Sequence, residues 1–274
     1  MEHAPQFQLT LVPQHGGYDP RRDGEDYIRP WIREVFNIDP HDFLSGALKV
    51  MAYIHTPPTR SHPARAIGQC EFWIIVREKM DHIPFDAQVC GISRGANWLQ
   101  MQLFHVNGQF NATLWGEEPY KGTGVWDSEV DDCYIMFIED LSVVPEFRNQ
   151  GIGKRFLKDL RYIIHEQTSG RDLFVITLPD GDTPDDRGEA WRLSIHESLH
   201  PALVEKTIQS SRAGMIRLYR AAGFRRVGTS RWFAWISIPD HPSRALEANH
   251  DYDGPVLDRR LTFDLPIRVQ EDAL

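Results

Sequence analysis

Three segments carry apolar side chains at consecutive positions, the pattern of strands buried on both faces of a sheet. They are residues 66–77, residues 133–144 and residues 173–178; within the first, Phe-Trp-Ile-Ile-Val runs without a polar break. Runs of this length are typical of central strands. A weaker run at residues 7–13 predicts a short first strand, and residues 224–238 predict a last strand that could pair with residues 261–269.

Apolar residues recurring every three to four positions predict helices elsewhere in the chain. The clearest lies at residues 150–165, where one face carries Ile152, Phe156, Leu160 and Ile163 or Ile164. A second covers residues 213–222 and ends at Gly223, placed as a left-handed cap would be. Further helices are predicted at residues 24–36 with Pro30 inside, 39–54 after Asp39-Pro40, and 189–211 with Pro201 inside.

The middle of the chain gives a mixed signal. Asn107-Gly108 is a strong signal for a tight hairpin, which predicts strands at residues 98–106 and 109–115, and residues 88–92 could form another. Residues 116–132 and 179–187 are rich in Gly, Asp or Pro and are predicted as loops. Strands mixed with helices, without a break in composition, favour one α/β or α+β domain with additions.

Composition excludes several function classes. The chain has 274 residues, a formal charge of −9 and 41% apolar residues, which predicts a globular protein and argues against nucleic acid as its main partner. Its start lacks the basic and apolar regions of a signal peptide, and its apolar runs are too short to span a membrane. The three cysteines, Cys70, Cys90 and Cys133, lie in apolar runs and predict reduced, buried thiols in a cytoplasmic or nuclear protein.

A candidate anion site follows the second central strand. Residues 148–153, Arg-Asn-Gln-Gly-Ile-Gly, open the predicted helix, and the first amides of a helix are unpaired donors at the positive end of its dipole. Gly151 and Gly153 would let a phosphate approach the backbone. A Walker A loop is excluded because Arg148 stands at its first glycine position, and a dinucleotide fingerprint fails because Phe156 stands at its third.

A second motif points elsewhere. Residues 196–200 read His-Glu-Ser-Leu-His, which on a helix would bring two imidazoles and a glutamate to a zinc ion. Pro201 follows directly, and the residue before a proline is disfavoured in a helix. We therefore expect no metal, although a zinc peptidase remains an alternative function.

Two segments resemble the signatures of the GNAT superfamily of acyl-CoA-dependent N-acyltransferases. The first is Arg-x-x-Gly-x-Gly after the central strand, and the second is residues 218–224, Leu-Tyr-Arg-Ala-Ala-Gly-Phe. The resemblance implies a mixed, mostly antiparallel central sheet flanked by helices. It implies a single domain over residues 1–239, most specific over 133–238, with insertions at 79–132 and 180–212 that shape the acceptor side, and a C-terminal extension at 240–274.

The resemblance also implies roles for individual residues. Acetyl-CoA would be the co-substrate: strand backbone at Leu141, Ser142 and Val143 would pair with its pantetheine arm, and an amide near Val143 would stabilise the oxyanion. Tyr219 would protonate the departing thiolate. The diphosphate would be held by a run of residues at the helix start, namely Arg148, Asn149, Gln150, Gly151, Ile152, Gly153 and Lys154.

The proton acceptor is less sharply defined. Glu139 and Asp140 are adjacent, and strand alternation would put them on opposite faces, so that at most one enters the cleft squarely. Glu139 matches a position that carries a catalytic glutamate in some GNAT members, and we take it as the base, directly or through water. Where the family often has Asn, this chain has Arg212.

The expected activity is therefore transfer of an acetyl group to a primary amine by direct attack in a ternary complex. A non-catalytic acyl-CoA sensor or scaffold of the same fold is the alternative. The acceptor, a small-molecule amine or a protein or peptide amine, stays open, as does a homodimer. The acidic residues of the first insertion would suit a cationic acceptor or a solvated loop equally; they are Glu117, Glu118, Asp127, Glu129, Asp131 and Asp132.

Overall fold

The computed structural model describes residues 8–13, 46–56, 65–79, 84–168, 170–179 and 212–257. Over these ranges it forms a mixed α/β fold around one open sheet in the order β1-β2-β3-β4-β5-β7-β6. The strands are β1 Gln8–Pro13, β2 Ala47–His55, β3 Ala66–Ile75, β4 Tyr134–Val143, β5 Leu173–Thr177, β6 Arg225–Arg226 and β7 Phe233–Ile236. The helices are α1 Phe85–Ile92, α2 Arg94–Leu103, α3 Ala112–Gly116, α4 Ile152–Gln167, α5 at residues 212–221 and α6 Pro242–Ala245.

Strand pairing is antiparallel throughout this sheet except between β4 and β5. The predicted mixed, mostly antiparallel sheet flanked by helices is therefore confirmed. A parallel pair needs a crossover connection, and α4 provides it between β4 and β5. The three central strands predicted from their apolar runs are β3, β4 and β5, and the predicted strand at residues 7–13 is β1.

A hydrophobic core lies on each face of the sheet. Met136 and Ile138 of β4 point into the core beneath α4 and α5, whereas Ile135 and Phe137 point into the core on the side of α1 and α2. The predicted face of α4 packs into the first core through Ile152, Phe156, Leu160 and Ile164, each at most 5% exposed. The predicted helix at 213–222 is likewise confirmed as α5, and Gly223 behind it has φ 91°.

The predicted helix at residues 39–54 is wrong over its second half, which forms β2. Leu48, Val50, Ala52 and Ile54 are buried and alternate with half-buried residues. The apolar positions in this segment fit both a helical and a period-two pattern. Pairing with β1 on one side and β3 on the other selects the strand, because each ladder satisfies the backbone groups that a helix would bond internally.

The strands predicted at residues 88–92, 98–106 and 109–115 are also wrong. The turn at Asn107-Gly108 exists, with Gly108 at φ 84°, but its ladder is a single bridge between Phe104 and Phe110. Side-chain caps favour helices on both sides: Ser93 accepts from the amide of Ala96 at the start of α2, and the Asn111 side chain caps α3.

The predicted last strand, residues 224–238, is divided into β6 and β7 by a turn. The Ser230 hydroxyl stabilises this turn, since it donates to the Val227 carbonyl over 2.6 Å and accepts from the Trp232 amide over 3.1 Å. The amide of Val227 closes the hairpin on the Trp232 carbonyl. The segment predicted as one strand thus becomes a short hairpin, because local side-chain bonds favour a turn over extension.

The segment that follows β7 packs on the domain as far as residue 257. Asp251, whose carboxylate has no exposed area, accepts from Arg220 Nε over 2.9 Å and from the Arg226 amide over 3.0 Å. Arg225 donates to the Leu246 carbonyl, and Arg226 donates to the Gly254 carbonyl. Residues 246–254 are thereby fixed to α5 and β6.

Two acidic residues of the first insertion serve internal contacts. Asp131 accepts from Arg77 Nη1 over 3.0 Å and from the Phe110 amide over 2.6 Å. Glu129 accepts from His241 Nε2 over 2.6 Å. They hold the insertion against β3 and against the segment after β7, so these two carboxylates are committed to the fold.

Several predictions fall outside the described residues. They are the helices at 24–36 and 189–211, the first part of the helix at 39–54, most of the loop at 179–187, and the strand at 261–269. Of the cysteines, Cys70 and Cys133 are buried as predicted, but Cys90 is exposed on α1, which corrects the prediction that all three are buried. Among the described residues, no helix is both long and apolar enough to cross a membrane.

Candidate active site

The central feature of the site is the divergence of the two parallel strands. β4 pairs with β5 from Tyr134 opposite Leu173 to Ile138 opposite Thr177. Beyond that point β5 ends, whereas β4 continues to Val143 with β3 as its partner on the other side. One edge of β4 over residues 139–143 is therefore open in the described part of the molecule, and an open strand edge can pair with an extended ligand.

A β-bulge lies where the two strands separate. Glu71 of β3 is opposite Asp140, and the next residue, Phe72, is opposite Ile138, so Glu139 is the extra residue. Ile138 and Leu141 both point into the core beneath α4, which breaks the strict alternation of side chains. The bulge sets Glu139 and Asp140 against one partner residue, so the strict alternation from which opposite faces were expected for them does not hold here.

The backbone of Leu141 and Val143 faces the open edge. The amide of Val144 donates to the Ile67 carbonyl of β3 over 2.8 Å. Because the hydrogen-bonding direction alternates along an antiparallel strand, Ser142 also faces β3, whereas Leu141 and Val143 face away from it. The carbonyl of Val143 accepts from Arg148 Nε over 2.8 Å. Leu141 and Val143 are two of the three residues whose backbone was expected to pair with a pantetheine arm; the third, Ser142, faces β3 instead.

The connection from β4 to α4 contains a run of backbone amides without acceptors in the described part of the chain. Asn149 and Gly151 have positive φ values of 62° and 76°, and α4 begins at the next residue. Among the described residues, the backbone N–H groups of residues 149–154 have no acceptor; the first amide of the helix to find one is that of Arg155, on the Gly151 carbonyl. Successive amides in such conformations, at the positive end of a helix, bind anions.

Side chains around this set of amides leave it accessible. Arg148, Asn149, Gln150, Gly151 and Lys154 are all exposed. Gln150 Nε2 donates to the Glu146 carbonyl over 3.0 Å, which holds the turn. Ile152 differs, because its side chain is 2% exposed and packs in the core, so that only its amide can contact a ligand.

The structure explains the two glycines of the predicted signature differently. A Cβ on Gly151 would meet no atom within 4 Å, so its positive φ is the constraint. A Cβ on Gly153 would lie 3.2 Å from Leu218 Cδ2, so Gly153 allows α5 to pack closely against the start of α4. Both glycines were expected to let a ligand approach the backbone. The structure gives Gly153 another reason, which is the close packing of α5 against α4.

Tyr219 is brought to the end of β5 by this helix packing. It is 1% exposed, and the Thr177 hydroxyl donates to its phenolic oxygen over 3.2 Å, its only hydrogen bond among the described residues. Burial raises the pKa of Tyr219 well above its ordinary value, the hydrogen bond from Thr177 lowers it, and the charge of Asp140 raises it further. The phenol is consequently protonated throughout the neutral range and can act only as a proton donor there.

Glu139 lies on the other face of the sheet. Its Oε2 accepts from Trp73 Nε1 over 2.8 Å. The Lys49 ammonium lies 5.5 Å from the Trp73 ring centroid and pairs with Glu71. The half-buried carboxylate of Glu139 is therefore held in place by a neighbouring strand, as a proton acceptor must be to reach its substrate.

The predicted site residues come together at the strand divergence. Leu141 and Val143 present their backbone at the open strand edge, the amides of 149–154 follow it, and Tyr219 and Glu139 lie on opposite faces beside it. Sequence reasoning missed Thr177 and Trp73, which position Tyr219 and Glu139. A signal existed for each: Thr177 carries the hydroxyl at the end of the apolar run of β5, and an indole N–H within a buried strand requires an acceptor.

Comparison with known proteins adds no assignment. No family model, no curated protein and no solved structure matches this chain. Within the described ranges, no group of three or more His, Cys, Asp or Glu side chains could hold a metal ion. The His-Glu-Ser-Leu-His motif at residues 196–200 lies outside those ranges. The case for a function consequently depends on the geometry at the divergence of β4 and β5.

Proposed function

We propose that this protein is an acetyl-CoA-dependent N-acetyltransferase of the GNAT type, acting on a primary amine. The observation that carries the proposal is the continuity of two binding features. The open edge of β4 leads directly into unpaired amides at the start of α4. A ligand with an extended, amide-bearing arm joined to a diphosphate matches both features, and coenzyme A has this composition.

The two halves of the ligand would use different forces. The arm would pair with the backbone of Leu141 and Val143 as an added strand. The diphosphate would accept hydrogen bonds from the amides of residues 149–154 and would gain from the helix dipole. Arg148 and Lys154, both exposed beside these amides, would add formal positive charge. This division explains why the site needs a bare strand end and a helix start in succession.

The proposed chemistry is a single displacement. The amine nitrogen attacks the thioester carbonyl carbon, and an amide of β4, that of Val143, stabilises the oxyanion. The amine proton passes to Glu139, directly or through water, the C–S bond breaks, and the thiolate takes the phenolic proton of Tyr219. Placement of Glu139 and Tyr219 on opposite faces of the sheet supports this, because the amine can then enter from one side while the sulfur leaves towards the other.

Two measurements test the proposal together. Calorimetric titration with coenzyme A should give saturable binding, and acetyl-CoA with a panel of amines should release free thiol with a matching mass increase of the acceptor. Binding without turnover on any amine would favour the non-catalytic sensor instead. Absence of both binding and turnover in folded protein would overturn the proposal.

Gly151 offers a matched pair of variants for the diphosphate assignment. Gly151→Val should weaken coenzyme A binding by about tenfold or more, because a β-branched residue resists a positive φ and displaces the amides. Gly151→Asn should bind much more nearly as the parent does, since Asn tolerates this conformation. Equal affinities of the parent and the Val variant would remove the amides from the site.

The acceptor is proposed only as a primary amine. Glu139 and Asp140 put negative charge beside the strand divergence, whereas that of Glu71 is paired with Lys49. The two carboxylates favour cationic acceptors by electrostatic steering. A screen of small amines and basic peptides with acetyl-CoA, read by mass spectrometry, separates a small-molecule acceptor from a protein acceptor.

A further inference from the structure

A buried arginine outside the candidate active site lacks polar partners among the described residues. Arg161 of α4 is 7% exposed. Its guanidinium carbon lies 4.3 Å from the ring centroid of Trp235 on β7 and 5.3 Å from that of Phe224. The side chain thus lies between α4 and the far strands of the sheet, more than two helical turns from the amides at the start of α4.

The guanidinium makes no hydrogen bond in the described structure. Its Nε and Nη1 are fully buried and without a partner. Nη2 has no hydrogen bond to a described residue either, and because it is not among the fully buried atoms it keeps contact with solvent. A buried charge with unsatisfied donors is costly, so an acceptor that reached this group from the solvent side would be strongly favoured.

The electrostatic surroundings of Arg161 are positive. Burial, and to a smaller extent the charge of Arg244, lower the pKa of Arg161 to about 10. No described carboxylate raises it. Arg244 lies over the same Trp235 ring, with its guanidinium carbon 5.6 Å from the centroid, and it donates one hydrogen bond, from Nη1 to the Ser237 carbonyl. Both guanidinium groups therefore lie over the same ring, and no carboxylate of the described residues pairs with either.

Other groups compensate part of this charge. The faces of Trp235 and Phe224 attract a cation, and Arg161 lies beside Gly223 at the C-terminal end of α5, where the helix dipole is negative. Nε and Nη1 together carry three N–H groups. Neither the aromatic rings nor the helix dipole accepts hydrogen bonds from them, so these donors stay unsatisfied within the described ranges.

We propose that Arg161 and Arg244 form a binding site for a small oxyanion, the carboxylate or phosphate group of a small molecule. The planar fork of Arg161 has the geometry that binds either group, and Arg244, which is exposed and lies over the same Trp235 ring, supplies the second charge. The site is separate from the proposed coenzyme A site, because Arg161 is about 13 Å along α4 from Ile152 at the helix rise of about 1.5 Å per residue.

The Nε–H resonance of Arg161 in a ¹⁵N NMR spectrum reports directly on this site. It is assigned by its loss in Arg161→Met, and phosphate, acetate and citrate are added in turn at constant ionic strength. We expect a saturable shift, together with a rise in Tm of about 3 °C at ligand tenfold above Kd. Comparison of the three titrations tells whether phosphate or carboxylate is the preferred group.

Three variants make the test specific. Arg161→Met should lose the anion-dependent rise in Tm, and Arg244→Met should weaken it severalfold, whereas Arg171→Met, at an exposed arginine paired with Glu78, should keep it. Phosphate could also bind the amides at residues 149–154, so the NMR titration is repeated with saturating coenzyme A. A shift of the Arg161 resonance that survives this addition supports the proposal.

Two results would overturn the proposal. One is the absence of any saturable shift at Arg161 with all three anions. The other is an anion effect on Tm that is undiminished in both Arg161→Met and Arg244→Met. Should Arg161→Met fail to fold, Arg244→Met decides alone, since Arg244 is exposed and its replacement leaves the core intact.

Discussion

Tyr219 and Glu139 stand in contrasting environments within one site. Tyr219 is enclosed by the core beneath α4, with Thr177 as its hydrogen-bond partner, whereas Glu139 is half-buried on the opposite face and bonded to Trp73. Burial disfavours the phenolate and so keeps the proton on Tyr219. Tyr219 therefore holds the proton that a donor needs at neutral pH, while the same burial makes it a weaker acid than an exposed tyrosine; Glu139 is placed as the proton acceptor.

Tyr219→Phe should lower kcat by about 10²-fold while changing KM little, because a general acid acts in the transition state. Burial raises the pKa of Tyr219 above its ordinary value of 10. Loss of activity through deprotonation of this residue should therefore occur only above about pH 10 in the parent protein. Steady-state kinetics over pH checks both statements.

Thr177→Val is the matched control for this variant. It removes the hydrogen bond but keeps the phenol, so its kcat should fall far less than that of Tyr219→Phe. Equal kcat values for the Phe variant and the parent would leave Tyr219 as a core residue only.

Glu139→Gln should lower kcat/KM by about 10²-fold at neutral pH, where the acceptor amine is protonated and needs a base. The loss should shrink towards pH 10, because an alkylamine with a pKa of about 10 then loses its proton to solvent. The pH dependence of kcat/KM for parent and variant measures this.

Asp140→Asn serves as the control for Glu139. Its carboxylate lies at the same bulge, so a larger loss in Asp140→Asn than in Glu139→Gln would transfer the role of base to Asp140. A loss in Glu139→Gln that does not depend on pH would argue for a positioning role.

At the scale of elements, two contacts shape the site. The bulge in β4 lets this strand part from β5, and the contact between Gly153 and Leu218 sets how closely α5 approaches α4. Tyr219 follows Leu218 directly, so the helix contact also sets the position of the phenol relative to Thr177.

Gly153→Val should destabilise the protein by about 1–3 kcal/mol, because the added atoms overpack the contact with Leu218. The same change in a Leu218→Ala background should cost less, with a coupling energy of about 1 kcal/mol between the two positions. Denaturant unfolding of the four proteins in this cycle gives the coupling.

The kcat of the same four proteins provides a second test of this contact. Gly153→Val should lower kcat because α5 carries Tyr219 away from the end of β5, and the double variant should recover part of it. Strict additivity in both stability and kcat would show that the two residues do not pack against each other.

At the scale of the whole molecule, distant segments hold the sheet together. Residues 246–254 are fixed by Arg220, Arg225 and Arg226. The first insertion is fixed by Trp232, whose Nε1 donates to Gln102 of α2 over 2.7 Å, and by Trp126, whose Nε1 donates to the Arg226 carbonyl. The end of the sheet at β6 and β7 is therefore stabilised both by the first insertion, which precedes β4, and by the segment that follows β7.

Asp251→Ala should destabilise the protein by about 3–5 kcal/mol, because it leaves Arg220 and the Arg226 amide without their buried acceptor. Asp253 pairs with the same Arg220 but its side chain is 80% exposed, so Asp253→Ala should cost less than about 1 kcal/mol. Chemical unfolding of the two variants tests this, and similar losses in both would contradict a buried clamp.

The sequence alone determined the central strands, α4, α5 and the glycine-containing turn between β4 and α4. These features depend on local information, namely apolar runs, one amphipathic helix face and glycines at positive φ. The candidate residues at 139–154 and Tyr219 could be named for the same reason, with the resemblance to a known family supplying their roles.

Tertiary structure alone decided the rest. Residues 47–54 fit helix and strand patterns alike, and pairing with β1 and β3 selected the strand. Glu139 became the bulge residue only through the register with β3, and it met Trp73 across 66 positions of sequence, as Tyr219 met Thr177 across 42. Contacts between residues so far apart depend on how the strands and helices pack, which no local pattern contains.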